Sequence, residues 1–159
     1  MNARQFAERY GLIHRDLYRF ALSIMGDAVE AEDVLGEAVL AAWEKRAQLR
    51  REEAFKSWLF QITANACRRR LRQAQRTQPA EDATFERPED GTLDAAEALA
   101  VREAFAQLCE EDRLIVGLAV FGGYRSREIG ALLTMNPSTV RSRRKRALER
   151  MAAFLGGAN

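Results

Sequence analysis

The fold is decided by the stretch that begins Ser126-Arg127-Glu128-Ile129-Gly130 and runs to Met151. Ser126 is predicted to cap a short helix over residues 127–133, because its hydroxyl can accept from a free N–H of the first turn. Gly130 is small at a point where a second helix must pass close. The inward face of the short helix is predicted to hold Ile129, Leu132 and Leu133.

A second helix is predicted over residues 137–154, directly after the turn Thr134-Met135-Asn136-Pro137. Asn136 suits the N-cap, and Pro137 suits the first helical position, where a missing N–H costs nothing. Its inward face is predicted to hold Val140, Ala147, Leu148 and Met151. Two helices joined in this way form a helix-turn-helix, whose second helix reads the major groove of DNA.

The outer face of this second helix carries residue types that duplex DNA requires. Arg141 is able to bond guanine through two N–H groups, and Ser138 or Thr139 would contact bases or a thymine methyl. Arg143, Arg144, Lys145 and Arg146 suit phosphates. A basic run alone also fits a solvated helix, but the two caps, the small residue and the turn together favour DNA binding. The predicted duplex contacts are Ser138, Thr139, Arg141, Ser142, Arg143, Arg144 and Lys145.

The formal net charge of +2 hides a strong segregation of charge. Residues 50–77 carry 8 basic and 2 acidic side chains, and residues 113–159 carry 9 and 2. Between them, residues 78–112 carry 2 basic and 11 acidic side chains. Basic blocks favour polyphosphate partners through counterion release, whereas the acidic block must face solvent or a basic protein surface.

The chain is predicted to be all-α, with two small helical domains joined by a flexible acidic linker. Pro79, Pro88 and Gly91 interrupt any apolar period between the two halves. We therefore expect a first domain over 1–75, a linker over 76–93 and a second domain over 94–159, which contains the helix-turn-helix. No β-alternation of useful length is present.

Three helices are predicted in the first domain from apolar residues at helical spacing. The first carries Phe6, Tyr10, Ile13, Leu17 and Phe20, the second follows Gly26-Asp27, and the third spans about 55–72. The second helix has an acidic outer face at Glu30, Asp33, Glu37 and Glu44. The third has a polar stripe at Gln61, Asn65, Arg68 and Arg72. In the second domain, one helix is predicted from Ala98, Val101, Phe105 and Leu108, and a mostly apolar one from Leu114 to Val120.

Several functional classes have little support in the sequence. His14 is the single histidine, and Cys67 and Cys109 lie far apart, so no metal-ligand spacing, catalytic constellation or cofactor motif is present. No stretch approaches the ~18 apolar residues of a membrane span, and the N-terminus lacks a secretory h-region. We expect a cytoplasmic protein that is not an enzyme and needs no cofactor.

Two sets of residues resemble one known family. Region 4 of the extracytoplasmic-function sigma factors is similar to Gly123-Tyr124-Arg125-Ser126-Arg127-Glu128-Ile129-Gly130 followed by Asn136-Pro137-Ser138-Thr139-Val140-Arg141-Ser142-Arg143. Ala31-Glu32-Asp33-Val34, Glu37, Ala42-Trp43 and the run from Phe55 to Asn65 resemble region 2. The matches cover roughly residues 5–75 and 95–154, in the order and spacing of that family.

The resemblance implies partners for both domains. The acidic residues Glu30, Asp33 and Glu37 would dock on the β′ clamp helices of core RNA polymerase, and the second domain would lie near the β flap. The third helix would hold the melted minus-ten strand through Lys56, Gln61, Asn65, Arg68, Arg69 and Arg72, with Asn65 reading a base and the cations tracking the backbone. The acidic linker would thread the polymerase's basic channels or act only as a tether.

Two positions depart from the family pattern. Gly36 stands where glutamine is usual, and a glycine within a helix costs up to about 1 kcal/mol against alanine. Close approach of a partner would explain a glycine at this position. Thr134 stands where the turn usually has glycine, and a β-branched residue disfavours positive φ, so we expect the turn to differ in detail.

The sequence therefore predicts an alternative sigma subunit that directs promoter recognition and transcription initiation. It would read the minus-thirty-five duplex with region 4 and the melted minus-ten strand with region 2. An anti-sigma factor is a common partner in the family. The alternatives are a conventional helix-turn-helix regulator that binds duplex DNA alone and a sigma-like adaptor that binds polymerase without reading a promoter.

Overall fold

A computed structural model describes residues 1–77 and 95–157, apart from the side chains of 75–77. The expected linker, 76–93, lies outside this description except for its first two backbone positions. The described residues form α-helices and two 3-10 turns and contain no strand, which confirms the all-α class. The α-helices are α1 (Ala3–Met25), α2 (Ala28–Glu44), α3 (Phe55–Thr77), α4 (Ala95–Ala106), α5 (Glu110–Val120), α6 (Ser126–Leu133) and α7 (Pro137–Gly157).

Local capping explains where the first two helices begin and end. The Asn2 side chain accepts from Gln5 N at 2.9 Å while the Gln5 side chain accepts from Asn2 N at 3.0 Å, a reciprocal capping box that starts α1. Gly26 ends α1 in the left-handed conformation, with φ +75°. Asp27 then caps α2 by accepting from Val29 N at 2.8 Å. The predicted break at Gly26-Asp27 is confirmed.

Other helix boundaries differ from the prediction. α3 begins at Phe55 as expected but continues to Thr77 rather than ending near residue 72. α5 begins four residues before Leu114, at Glu110. Its first turn is acidic, and carboxylates stabilise the positive end of a helix dipole, which extends the helix beyond its apolar part.

The buried face of α4 was predicted incorrectly. Val101 is 41% exposed, whereas Arg102 at the next position is buried. Phe105 and Leu108 are buried as expected. The helix lies against both α7 and α1, so its contacts are not confined to one apolar stripe.

The two predicted domains share one hydrophobic core. The largest buried cluster contains Phe20, Leu59 and Phe60 from the first half of the chain and Ile115 and Leu118 from α5. A smaller cluster, built around Phe105, Val116 and Met151, belongs to the second half alone. α5 contributes Leu114, Ile115 and Leu118 to the larger cluster and Val116 to the smaller one, so it has apolar surface on more than one side.

Cys67 lies in the shared core with no exposed surface. Burial, followed by the negative charge of Glu110, raises the pKa of its thiol to about 12. Cys109, by contrast, is an exposed free thiol. The described residues include no group of three His, Cys, Asp or Glu side chains placed to hold a metal ion, and none of their helices has the length and apolarity of a membrane span.

Candidate nucleic-acid interface

The turn between α6 and α7 has a left-handed residue that is not glycine. Thr134 has φ +57° and ψ +53°, and it is the one non-glycine residue with positive φ in the described ranges. This conformation costs an L-residue about 1–2 kcal/mol. We expected the turn geometry to differ because Thr134 replaces the usual glycine, but Thr134 adopts the left-handed conformation that glycine usually supplies. The turn therefore contains a strained residue.

Gly130 lets the turn close on α6. Its carbonyl accepts from Met135 N at 2.8 Å. A Cβ at residue 130 would lie 2.6 Å from Met135 O and 3.5 Å from Pro137 Cγ. Because the nearest of these atoms is backbone, a larger residue cannot be accommodated by a side-chain rotation. The prediction that a small residue is needed at this crossing is confirmed.

The helix caps were predicted correctly for α7 and incorrectly for α6. Asn136 Oδ1 accepts from Ser138 N at 2.9 Å and from Ser138 Oγ at 2.8 Å. Ser126 is instead the first residue of α6, and its buried hydroxyl has no partner among the described residues. Arg125 holds the N-cap position, where its N–H donates to Glu128 Oε1 at 3.0 Å.

The outer face of α7 is open to solvent. Val140, Ala147 and Met151 are buried as predicted, whereas Leu148, predicted inward, is 43% exposed. Arg144 is half-buried. The exposed residues of the predicted duplex-contacting set are Ser138, Thr139, Arg141, Ser142 and Lys145.

Arg143 has partners within the protein. Its Nη1 donates to Glu111 Oε2 at 2.6 Å, its Nε donates to Asp112 Oδ1 at 2.9 Å, and its Nη2 lies 3.5 Å from Cys109 Sγ. Partial burial lowers the pKa of this guanidinium, but the hydrogen bond to Glu111 and the two carboxylate charges outweigh it and raise the pKa above its ordinary value. The geometry ties α7 to the start of α5 rather than leaving Arg143 free for phosphate.

Substitution of Arg143 distinguishes a role in anchoring α7 to α5 from a role in contacting phosphate. We expect Arg143→Ala to weaken binding of the full chain to duplex DNA about ten-fold, or about 1.4 kcal/mol, because α7 loses its anchor. The salt dependence of the binding constant should stay unchanged, whereas Lys145→Ala should reduce its logarithmic slope by about 1. Titrations at several salt concentrations measure both. A slope reduced equally by Arg143→Ala would mean that Arg143 contacts phosphate.

The polar stripe of α3 is exposed along most of its length. Gln61, Asn65, Arg69 and Arg72 are exposed, and Arg68 is half-buried. The six residues predicted to hold the melted strand are therefore together on one helix, but one of them is engaged elsewhere. The Lys56 ammonium donates to Gly122 O at 2.8 Å, in the second half of the chain.

The acidic face of α2 is bridged by one arginine that sequence reasoning missed. Arg70 Nε lies 2.8 Å from Glu30, its Nη2 lies 3.5 Å from Asp33, and its Nη1 lies 3.4 Å from Glu37. Arg68 and Arg72 are four residues apart and share the stripe, so Arg70 between them must point to the opposite face of α3. The position of Arg70 midway between Arg68 and Arg72 could therefore have indicated, from the sequence alone, that it points away from the stripe.

An open apolar groove of about 490 Å³ lies beside this acidic face. Gly36 forms part of its wall, together with Leu40, which is 59% exposed. A Cβ at residue 36 would meet no heavy atom of the described residues within 4 Å, so no contact in that part of the chain requires glycine there. The remaining lining residues are Ala3, Phe6, Tyr10, Val39 and Trp43.

An exposed helix-turn-helix face on one half and an exposed polar, cationic stripe on the other define a bipartite nucleic-acid-binding protein. The sequence matches the Sigma-70 region 2 family over residues 10–77 and the Sigma-70 region 4 family over residues 98–151. The chain belongs to the extracytoplasmic-function sigma factors of the sigma-70 superfamily. It is an alternative RNA polymerase sigma factor for promoter recognition, and this membership fits a protein that is not an enzyme.

Similar proteins support this assignment. The chain is 35% identical to the sigma factor SigM of Mycobacterium tuberculosis over 148 residues, which cover 92% of this chain and 74% of SigM. It is 31% identical to SigL of the same species over 133 residues, 80% of this chain and 75% of SigL.

Two solved structures share the fold. RpoE of Bartonella quintana, in complex with the anti-sigma factor NepR, aligns with a TM-score of 0.81 at 24% identity, covering 97% of this chain and 98% of RpoE. CnrH in complex with the cytosolic domain of CnrY aligns with a TM-score of 0.74 at 23% identity, covering 99% and 92%.

Proposed function

We propose that the two nucleic-acid faces read the two halves of a promoter. α7 would lie in the major groove of the minus-thirty-five duplex, with Arg141 on a guanine and Ser138, Thr139 or Ser142 beside it. Arg144 and Lys145 would contact phosphates, and Arg143 would hold α7 in position. The observation that carries the proposal is that this face and the α3 stripe are both exposed, one in each half of the chain.

The α3 stripe would capture the melted minus-ten strand. Asn65 and Gln61 offer amide groups that can pair with the edge of an extruded base. Arg68, Arg69, Arg72 and Lys56 would follow the phosphates, and aromatic stacking is not needed from Trp58, which packs against Phe55 with ring centres 6.1 Å apart.

Core polymerase would dock on α2. Glu30, Asp33 and Glu37 form an acidic face suited to the basic side chains of the β′ clamp helices, and Gly36 opens the adjacent groove to a close-packed helix. The second domain would lie at the β flap. Polymerase then fixes the distance between two individually weak DNA sites, which raises their joint affinity through effective concentration. With these partners, the protein would act in the cytoplasm.

An anti-sigma factor is a further proposed partner, because the structurally similar sigma factor RpoE was solved with the anti-sigma factor NepR bound. It would occupy surfaces intended for polymerase and hold the two halves together.

Run-off transcription with purified core polymerase tests the proposed function. The DNA template carries a promoter identified by mapping transcript starts after overexpression of the protein. We expect the full chain to direct a new start site, and Asn65→Ala and Arg141→Ala each to reduce its use about ten-fold, a loss within the 1–3 kcal/mol of one base contact. Arg150→Ala, an exposed change farther along α7, is the control.

The outcome also separates the alternatives. Tight duplex binding without polymerase, and no new start site with it, would indicate a conventional regulator. Polymerase binding with transcription unaffected by Asn65→Ala and Arg141→Ala would indicate an adaptor.

A further inference from the structure

The first turn of α7 contains a hydrogen bond that capping does not require. Ser138 is the second residue of α7, and it is exposed on the face proposed to enter the major groove. Asn136 Oδ1, just before the helix, accepts from Ser138 N at 2.9 Å and also from Ser138 Oγ at 2.8 Å. The first bond caps the helix. The second holds the side chain of a residue at the end of the helix that meets base edges.

The direction of the second hydrogen bond is fixed by the first. An amide side chain has an oxygen that only accepts and a nitrogen that only donates. Because a backbone N–H can only donate, the Asn136 atom that faces Ser138 N is the carbonyl oxygen. The Ser138 hydroxyl lies 2.8 Å from that same oxygen, so it must donate its hydrogen to it. A hydroxyl has one hydrogen and two lone pairs, so only lone pairs remain for a partner outside the protein.

A hydroxyl that can only accept is selective among the polar groups of duplex DNA. Phosphate oxygens are acceptors themselves and cannot form a hydrogen bond with it. In the major groove, guanine N7 and O6 and thymine O4 are also acceptors, whereas adenine N6 and cytosine N4 carry hydrogens. The Ser138 oxygen therefore suits the amine of adenine or cytosine. Opposite guanine or thymine it would set lone pairs against lone pairs.

Neighbouring side chains on this face have other hydrogen-bonding capacities. Arg141, about one turn farther along α7, has only donors, so it suits the N7 and O6 acceptors of guanine. Ser142 Oγ donates to Thr139 O at 3.2 Å, a backbone acceptor that no side-chain substitution removes. The hydrogen of Ser138 is held by a side chain instead, so a single substitution at Asn136 can release it.

We propose that Ser138 reads one base of the upstream element as a hydrogen-bond acceptor, and that Asn136 sets this polarity and so selects adenine or cytosine over guanine or thymine. This assignment rests on the proposed function, since it specifies the chemistry of one contact of the α7 face. Asn136 is a positioning residue that acts through Ser138. A base amine adds a hydrogen bond without breaking one, whereas a base carbonyl gains a bond only if the hydroxyl leaves Asn136.

A promoter pool with a randomised upstream element tests the proposal. Run-off transcription with core polymerase is carried out on templates that each carry a barcode within the transcript, and sequencing counts the use of each upstream sequence. Ser138→Ala identifies the base pair that Ser138 reads, because loss of the hydroxyl changes the base preference at that position. With the wild-type chain we expect adenine or cytosine there, on one strand, to be used about ten-fold more than guanine or thymine.

Two substitutions at Asn136 separate polarity from capping. Glycine is an acceptable N-cap, so Asn136→Gly removes the acceptor while leaving the start of α7 nearly as stable. The released hydroxyl can then rotate and donate, so the base preference should fall to about two-fold or less. Asn136→Asp keeps an oxygen that accepts from both groups, so the preference should remain about ten-fold. Its negative charge near DNA phosphates should lower the use of all upstream sequences alike.

The base preference is a ratio, so a purely structural effect on α7 would lower the use of every sequence and leave the preference unchanged. A full preference in Asn136→Gly would overturn the role of Asn136. A preference for guanine or thymine at the position identified by Ser138→Ala, or no position affected by that variant, would overturn the role of Ser138. Failure of the wild-type chain to start transcription from any template would instead overturn the proposed function.

A single modified base gives a second measurement. In a synthetic template, the preferred base at the identified position is replaced by an analogue that lacks only its exocyclic amine. The wild-type chain should use this template about ten-fold less than the unmodified one, whereas Ser138→Ala should use the two nearly equally. The comparison with Ser138→Ala accounts for the weaker base pairing of the analogue. An equal loss in both proteins would show that Ser138 does not recognise the amine.

Discussion

Replacement of Gly130 by alanine is expected to abolish duplex recognition by the second half of the chain. The added Cβ would lie 2.6 Å from Met135 O, which is backbone, so α6 and the turn must move apart. Overpacking of this kind costs about 1–3 kcal/mol, and the turn already carries a left-handed threonine. We expect a loss of about 3 kcal/mol in the free energy of unfolding and no measurable binding to the upstream element.

Chemical denaturation and duplex titration together measure this effect. Gly11→Ala is the matched control, because it makes the same chemical change in a helix where nothing is crowded; it should raise the free energy of unfolding by about 0.5–1 kcal/mol. If Gly130→Ala has the free energy of unfolding and the duplex affinity of the wild type, the close contact at Gly130 is not needed for stability or for DNA binding.

Neutralisation of the acidic face of α2 is expected to weaken binding to core polymerase strongly. The variant combines Glu30→Gln, Asp33→Asn and Glu37→Gln, which keep size and hydrogen-bonding capacity while removing charge. Partly exposed ion pairs contribute up to about 1 kcal/mol each, so three of them correspond to roughly a 100-fold loss of affinity. Competition against a labelled sigma factor for core enzyme would measure it.

Arg70→Gln distinguishes polymerase binding from internal stabilisation. Since Arg70 bridges all three carboxylates, removing it frees them for a partner while breaking the same internal pairs. If the face serves polymerase, Arg70→Gln should bind core at least as tightly as the wild type. Equal loss of affinity in both variants would show that the carboxylates act through stability alone.

The sequence predicted best where a local constraint acts alone. Asn136 and Pro137 begin α7 because an N-cap and a residue without N–H suit those positions wherever the helix lies. Gly130 was recognised because a helix-turn-helix needs one close crossing. The N-cap prediction for Ser126 was wrong. Its hydroxyl suggested a cap, but the residue packs into the first turn of α6, where it is buried.

Contacts between residues that are far apart in the chain could not be predicted from the sequence. Arg143 was read as one of a basic run, since nothing local reveals that Glu111 and Asp112 lie opposite it. Gly117 and Arg113 were passed over for the same reason: Gly117 lies beside Phe20, and Arg113 donates to Ile24 O, only when α5 crosses α1. The contribution of α5 to both hydrophobic clusters could not be predicted from the break in composition, because these contacts form only in the folded chain.

The position of Cys67 has a consequence for kinetic measurement. The thiolate is the form that reacts with alkylating reagents, and burial, which raises the pKa of the Cys67 thiol, keeps that thiol protonated at pH 8. Cys109 is exposed and would consume its equivalent first. The slower uptake of a second equivalent would then require the core around Cys67 to open. The rate of this second alkylation therefore reports the rate of core opening in the wild-type chain, without an introduced label.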